Sequence, residues 1–277
     1  MDVFRVATLN LFGHHADWPR RRDVLRTEFL RLRPDLVALQ ETVETAYSDQ
    51  ASEILGEGYH LVRQPGATAD GCGASLASRW PLGEVRHVDL HVTERVDAAV
   101  GWIGSATLAE VEAPEPIGRL LFVHHKPSWE VGLERERELQ AVTTARAVLE
   151  LAGDTRADGS PRHVILAGDF DATPDSASVR FWTGRQSLDG LSVCYRDAWE
   201  SLHPVDPGYT FTPRNRLVLA GDMAQPLPRR IDYIMVRCGP HGPTAAIVAC
   251  SLFGIGDATG PGSDHYGVVA ELAVGDG

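Results

Sequence analysis

The chain has 277 residues, 43% of them hydrophobic and 23% charged, which is the balance of a globular protein with enough apolar material for a large core. With 38 acidic against 26 basic residues the net charge is −12, which counts against a protein that grips nucleic acid through many phosphates, because such proteins carry a basic surface. No apolar run approaches the roughly 18–20 residues that span a bilayer, no basic leader precedes Phe4-Arg5-Val6, and Cys72, Cys194, Cys238 and Cys250 show no CxxC spacing, so reduced thiols in a cytoplasmic protein are expected rather than a zinc site or a disulfide framework.

Residues 3–9 read as a strand ending at Asn10. Asp17 and Pro19 open a helix with Leu25, Phe29 and Leu32 on one face, and Pro34 closes it. Leu36-Val37-Ala38-Leu39 is a buried strand ending in Gln40-Glu41, followed by a helix with Tyr47, Ala51, Ile54 and Leu55 on one stripe, ended by Gly56 and Gly58. The pattern then turns to strands at 59–63, 73–78, 83–92, 101–112 and 118–123. A helix over 132–151 points Leu139, Val142, Ala145 and Leu149 inward and leaves Glu134 to Glu138 as a solvated charged face. The apolar run Val164-Ile165-Leu166-Ala167 stops at Gly168, and short helices follow near 176–183 and around Asp197-Ala198-Trp199-Glu200. Strands at 230–236, 244–252 and 266–274 finish the chain. There is no internal repeat, low-complexity tract or linker, so one α+β domain over residues 1–277 is expected, its two sheets packed together with helices on both outer faces.

Four apolar strands end in residues suited to phosphate chemistry: Leu9-Asn10, Leu39-Gln40-Glu41, Val123-His124-His125 and Ala167-Gly168-Asp169-Phe170-Asp171. Two more clusters, Arg230-Ile231-Asp232-Tyr233-Ile234 and Gly262-Ser263-Asp264-His265-Tyr266-Gly267, lie towards the end of the chain. Each has an ordinary structural explanation. A strand-end Asn forms turns, Asp232 can pair with a neighbouring arginine, and Ser263 can cap a helix. Their repetition at strand ends is what those explanations leave over.

The ordered set of six resembles the endonuclease/exonuclease/phosphatase superfamily, which includes DNase-type and abasic-site nucleases, neutral sphingomyelinases and inositol polyphosphate 5-phosphatases. Ser75-Leu76-Ala77-Ser78-Arg79-Trp80-Pro81-Leu82 and Arg196-Asp197-Ala198-Trp199 are also similar to family segments. The resemblance implies a four-layer α/β/β/α sandwich of two mainly antiparallel sheets. It also implies hydrolysis of a phosphate ester with a divalent cation, Mg2+ or else Mn2+ or Ca2+. Carried over position by position, Glu41, Asn10 and Asp264 are the metal residues, and Asp169 orients the attacking water. His265 works with Asp232, and His125, preferred to His124, contacts the phosphate together with Asn10 and Asp171.

Most relatives have Asn where this chain has Asp171. An ionised Asp accepts hydrogen bonds but cannot donate them, so a cation is expected beside Asp171. The phosphodiesterase or phosphatase substrate is expected to be small or lipid-like, with no stable nucleic-acid partner and with the oligomeric state open. A nuclease with a local basic groove and a silent binding protein are the alternatives. Lys126, Trp129, Arg214, Arg229 and Arg230 are candidate substrate contacts.

Overall fold

A computed structural model describes residues 2–65, 68–96, 104–153, 162–221, 223, 225–256 and 260–275. In chain order its first half holds β1 (Asp2–Asn10), α1 (Trp18–Leu32), β2 (Leu36–Val43), α2 (Gln50–Leu55), β3 (His60–Arg63), β4 (Cys72–Ser78), β5 (Leu82–Asp89), β6 (Ser105–Glu112) and β7 (Arg119–Lys126). Then come α3 (Glu134–Ala152), β8 (Val164–Asp169), α4 (Ala177–Trp182), β9 (Tyr195–Asp197), α5 (Ala198–Leu202), α6 (Arg216–Ala220), β10 (Asp232–Gly239), β11 (Gly242–Pro243), β12 (Ala246–Phe253) and β13 (Gly267–Val274).

The first sheet runs β12-β13-β1-β2-β4-β3 and the second β11-β10-β8-β7-β6-β5, with β9 beside β10. Pairing is antiparallel except for β1 with β2 and β7 with β8. Side chains of both sheets fill the layer between them, Phe4, Leu36 and Leu76 from one meeting Phe122, Ile165 and Ile234 from the other. Leu25 and Phe29 of α1 and Ile54 of α2 cover the outer face of the first sheet. Val142, Ala145 and Val148 of α3 and Phe181 and Trp182 of α4 cover the second. The four layers expected from the sequence are present. Among the described residues no helix is long and apolar enough to cross a membrane.

Some boundaries move for local reasons. The helix expected to include Tyr47 begins only at Gln50, because Asp49 accepts from the Ser52 N–H (3.1 Å) and caps it there. Tyr47 lies in the preceding turn, held by Thr45 Oγ1, and is 99% exposed. Strand β7 runs past 123 to Lys126, and residues 101–103 of the expected 101–112 strand lie outside the described residues. The five-residue helix α6, capped by Asn215, has no counterpart among the elements expected from the sequence.

The two-residue side-chain period of a strand decides what reaches the end of the inter-sheet layer. Phe4 and Val6 share their face with Thr8 and Asn10, and Leu36 and Ala38 with Gln40. On the facing sheet Leu120 and Phe122 lead to His124 and Lys126, Ile165 and Ala167 to Asp169, and Val236 and Ile234 to Asp232. Each stripe is apolar through the core and polar at one end.

Gly168 allows that end to close. A Cβ at this position would stand 2.0 Å from the His125 carbonyl oxygen of the neighbouring strand, so the β7–β8 approach tolerates no side chain there. Gly168→Ala should cost on the order of 3 kcal/mol through overpacking, read as a fall in the denaturation midpoint with an unchanged m-value.

Candidate active site

Asn10 is the hinge between the sheets. Its Nδ2 donates to Glu41 Oε1 (2.8 Å) and to Asp169 Oδ2 (3.0 Å), while its Oδ1 accepts from the Phe12 N–H (2.9 Å). Glu41 follows Gln40, and a regular strand would point the two side chains to opposite faces. A register shift between Leu39 and Thr42, with a positive φ of 52° at Glu41, breaks the alternation and brings Glu41 to Asn10.

On the second sheet Asp169 and Asp232 are directly paired across β8 and β10. Asp232 Oδ2 lies 2.9 Å from His265 Nδ1, and the ring of Phe211 tilts against the imidazole at 5.2 Å between centroids. Thr210 Oγ1 accepts from the N–H groups of Ile231 (3.1 Å) and Asp232 (3.3 Å), fixing the start of β10. Ligand atoms of Asp169, Asp232 and His265 all fall within 4.8 Å of one another. Burial opposes a charged His265, yet Asp232, Asp264 and Asp169 outweigh it and hold the imidazolium well above its ordinary pKa.

The loop that carries Asp264 and His265 is tied down by groups whose importance is not visible in the sequence. Ser263 Oγ donates to the Asn10 carbonyl (2.6 Å) and accepts from the His265 N–H (3.2 Å). Asn215 Nδ2 donates to the carbonyls of Ser263 (2.8 Å) and Asp264 (2.9 Å). Arg21, buried on a helix whose other arginines are exposed or half-buried, donates to the carbonyls of Leu11 (2.5 Å), Gly13 (2.9 Å) and Gly262 (3.2 Å). Burial pushes Asp264 up to about 6, and the charge of Glu41 adds to the effect.

Strand β7 brings a correction. His125 shares its face with Leu121 and Val123, which point to the outer helices. Its ring packs on Phe170 and Trp182, and its Nδ1 lies 3.1 Å from Thr144 Oγ1 of α3. It does not join the cluster. The residues of β7 that face inward are His124, whose two ring nitrogens find no hydrogen-bond partner among the described residues, and Lys126. Lys126 Nζ lies 2.9 Å from Asp169 Oδ2 and also pairs with Asp171. An ammonium of the chain itself therefore stands beside Asp171. Burial works against charge on Asp169, but Lys126, His265 and Asn10 outweigh it and hold its carboxyl well below the usual range; Asp171 is pushed up to about 6 by burial and by Asp169.

Of the other candidate contacts, Arg230 is locked to Asp197 in a buried pair and lies over the Tyr233 ring, so it faces protein rather than solvent. Arg229 lies over Phe211 at 5.0 Å. Arg214 and Trp129 are exposed.

The model of the "Endonuclease/Exonuclease/phosphatase family" matches residues 7–265. The chain is 22% identical over 275 residues to "Protein angel" of Drosophila melanogaster, a match covering 93% of this chain and 72% of that protein. Among solved structures, it is similar to D. rerio TDP2 complexed with single strand DNA product (TM-score 0.73, 19% identity, 99% of this chain and 100% of that one). It is likewise similar to ANGEL2, a 2',3'-cyclic phosphatase in complex with adenosine-2',3'-vanadate (TM-score 0.73, 14% identity, 98% and 95%).

The placement of His125 has a consequence for stability. Burial lowers its pKa from 6.5 to about 3, so the unfolded chain binds the proton first and stability is lost as pH falls below about 6.5, by up to ~1.4 kcal/mol per pH unit. His125→Phe should flatten that acid limb in equilibrium unfolding and change turnover by less than about threefold. A loss of turnover by orders of magnitude with folding intact would return His125 to the site.

Proposed function

Because the chain belongs to the endonuclease/exonuclease/phosphatase family, we propose that it is a divalent-metal-dependent hydrolase of a phosphate ester. The substrate we favour is a phosphodiester of a small or lipid-like molecule. The observation that carries this reading is the convergence of Asp169, Asp232 and His265 within 4.8 Å, with Asn10 bonded to both Asp169 and Glu41.

The residues present suit a hard cation. Among the described residues neither Glu41 nor Asp264 has a salt-bridge partner, and burial beside Glu41 disfavours the charge on Asp264 until a cation arrives. Carboxylate oxygens of this kind suit Mg2+, which keeps part of its water shell. Glu41 and Asp264 would hold it, with the Asn10 carbonyl oxygen nearby; when bound, the ion polarises a phosphoryl oxygen. The oxygens that Asp232 and Asp169 turn towards His265, Lys126 and Asn10 are already engaged, which supports Glu41 and Asp264 over those groups as ligands.

Asp169, kept ionised, accepts a hydrogen bond from the attacking water and aims it at phosphorus. His265, kept protonated by Asp232, donates from Nε2 to a phosphate oxygen and is better suited to stabilising charge there than to acting as a base. As water oxygen bonds to phosphorus its proton passes beside Asp169 to solvent, the bond to the leaving oxygen breaks, and that oxygen takes up a proton from solvent. A groove lined by Thr173, Asp175, Glu200, Asp206, Tyr209 and Arg229 borders the residues that lead into Asp171 and Asp232, and offers a polar surface of mixed charge for the remainder of the substrate.

Charge favours a diester. Glu41, Asp169, Asp171, Asp232 and Asp264 bring five carboxylates against three cations, Lys126, His265 and the nearby Arg21. The difference is two negative charges, which one divalent ion neutralises, leaving a site better matched to a monoanion than to a dianion. The similarity to a TDP2 structure holding a single-strand DNA product favours a second reading, action at a nucleic-acid end. The net charge of −12 weighs against it.

Bis-p-nitrophenyl phosphate should be hydrolysed faster than p-nitrophenyl phosphate with Mg2+ present, and chelator should abolish both reactions. Hydrolysis of single-stranded DNA with a steep salt dependence would favour the nuclease, and no Mg2+-dependent hydrolysis of any ester would sink the proposal. His265→Ala should lower kcat about 10²–10⁴-fold with folding intact. Glu41→Gln should raise the Mg2+ concentration required at half-maximal rate. Turnover should decline as pH rises through the elevated pKa of His265, and Asp232→Asn should move that alkaline limb to lower pH; a limb that stays in place would separate Asp232 from the protonation of His265.

A further inference from the structure

Lys126 is a charged side chain at the site to which the reading above gives no chemical part. It is 3% exposed, and its ammonium sits against the carboxylates of both Asp169 and Asp171. An ammonium has three donors, and two face these acids. Asp171 is folded back on its neighbour: at a positive φ of 50° its N–H donates to Asp169 Oδ1 (3.0 Å). Asp169 Oδ2 thus accepts from Lys126 and Asn10, and Oδ1 from the Asp171 backbone. A carboxylate offers about four lone pairs, so the lone pair left on Oδ1 is where a water can be held.

Two adjacent buried carboxylates need a countercharge. Elsewhere a second divalent ion could supply it; here the chain supplies one covalently, carried on the inward face of β7. Because this rests on the metal-dependent reading above, it concerns how many ions the site takes. We propose that Lys126, anchored by Asp171, is a fixed internal cation that fills the place between Asp169 and Asp171, restricts the site to one divalent ion at Glu41 and Asp264, and positions Asp169 for the attacking water.

The test is calorimetric titration of the full chain with Mn2+ in the absence of substrate. The wild-type chain should bind one ion. Lys126→Met should bind one more than wild type, because Asp169 and Asp171 are then uncompensated. Asp171→Asn, which leaves Lys126 on Asp169, should keep the wild-type count and an affinity within about threefold. The double variant should return to the wild-type count and recover at least about tenfold of the turnover lost in Lys126→Met, since an Asn amide can donate where the ammonium did.

Equal counts in Lys126→Met and wild type would overturn the proposal. So would an affinity loss of about tenfold or more in Asp171→Asn, which would make Asp171 a metal ligand. If near-UV circular dichroism shows that Lys126→Met does not fold, the Asp171→Asn affinity decides alone. A wild-type chain without Mg2+-dependent hydrolysis would refute the proposed function, while the difference in ion count between Lys126→Met and wild type would still judge the role of Lys126.

Discussion

Five carboxylates, those of Glu41, Asp169, Asp171, Asp232 and Asp264, share the polar end of one inter-sheet layer, and their mutual repulsion is the constraint around which the local structure is arranged. Behind them the layer is apolar, from Phe4 and Leu36 on one sheet to Phe122 and Ile234 on the other. Water can reach the acids from one side only, so each charge needs a partner supplied by the protein or by a ligand. Two of the partners are built in as ion pairs, His265 with Asp232 and Lys126 with Asp169 and Asp171. Glu41 is left with a hydrogen bond from Asn10, and Asp264 with a 3.2 Å contact to Ser263 Oγ, whose proton goes to the Asn10 carbonyl. The uneven distribution is informative, because it separates a permanently compensated half of the site from a half that gains from a cation.

Holding like charges at fixed spacing takes backbone as well as side-chain partners. Ser263, Asn215 and Arg21 bind carbonyls of the loops that present Asn10, Asp264 and His265, so the two loops cannot drift apart without breaking several bonds. Arg21 also lies over the rings of Phe12 (5.6 Å) and Trp18 (5.2 Å), which spreads its anchorage into α1. A buried guanidinium with three carbonyl partners and two rings is costly to remove. Its value here is geometric: it sets the distance between the first strand and the last loop of the chain.

The arrangement was legible in the sequence wherever a strand's own composition marked its end. Asn10, Asp169 and Asp232 meet as their strand-end positions imply, since an apolar run fixes which face is buried and the next residue of that parity inherits it; His265 has the parity of the outward Val269 and reaches the site from the loop before β13. The choice of His125 over His124 failed for the same reason. Counting back from the buried pair Leu120 and Phe122 puts His124 and Lys126 inward and His125 outward, but the sequence does not say which of two apolar faces is the inter-sheet one. Glu41 reaches the site by breaking parity at a bulge, which spacing alone does not reveal. Arg21 sits among Arg20 and Arg22 on a helix whose other arginines are exposed or half-buried, so nothing in its neighbourhood separates a clamp from a solvated face. Tyr47 shows the limit of periodicity, because a capping Asp49 overrode an apolar stripe.

Gly168 links the backbone to the charge balance. Because it has no side chain, β8 can lie with the His125 carbonyl where a Cβ would otherwise stand, just beyond the last parallel pair, His124 with Ala167. Lys126 is the residue after that carbonyl, and Asp169 the residue after the glycine. The close approach therefore delivers an ammonium and a carboxylate from adjacent strands at hydrogen-bonding distance, without a long side chain reaching across a gap. A compact ammonium suits this spacing, since its donors can point to two acids at once, whereas a planar guanidinium would demand the room that Gly168 has removed. The small residue at the strand end and the lysine beside it belong to one solution: the backbones come together so that a fixed charge can stand between the acids.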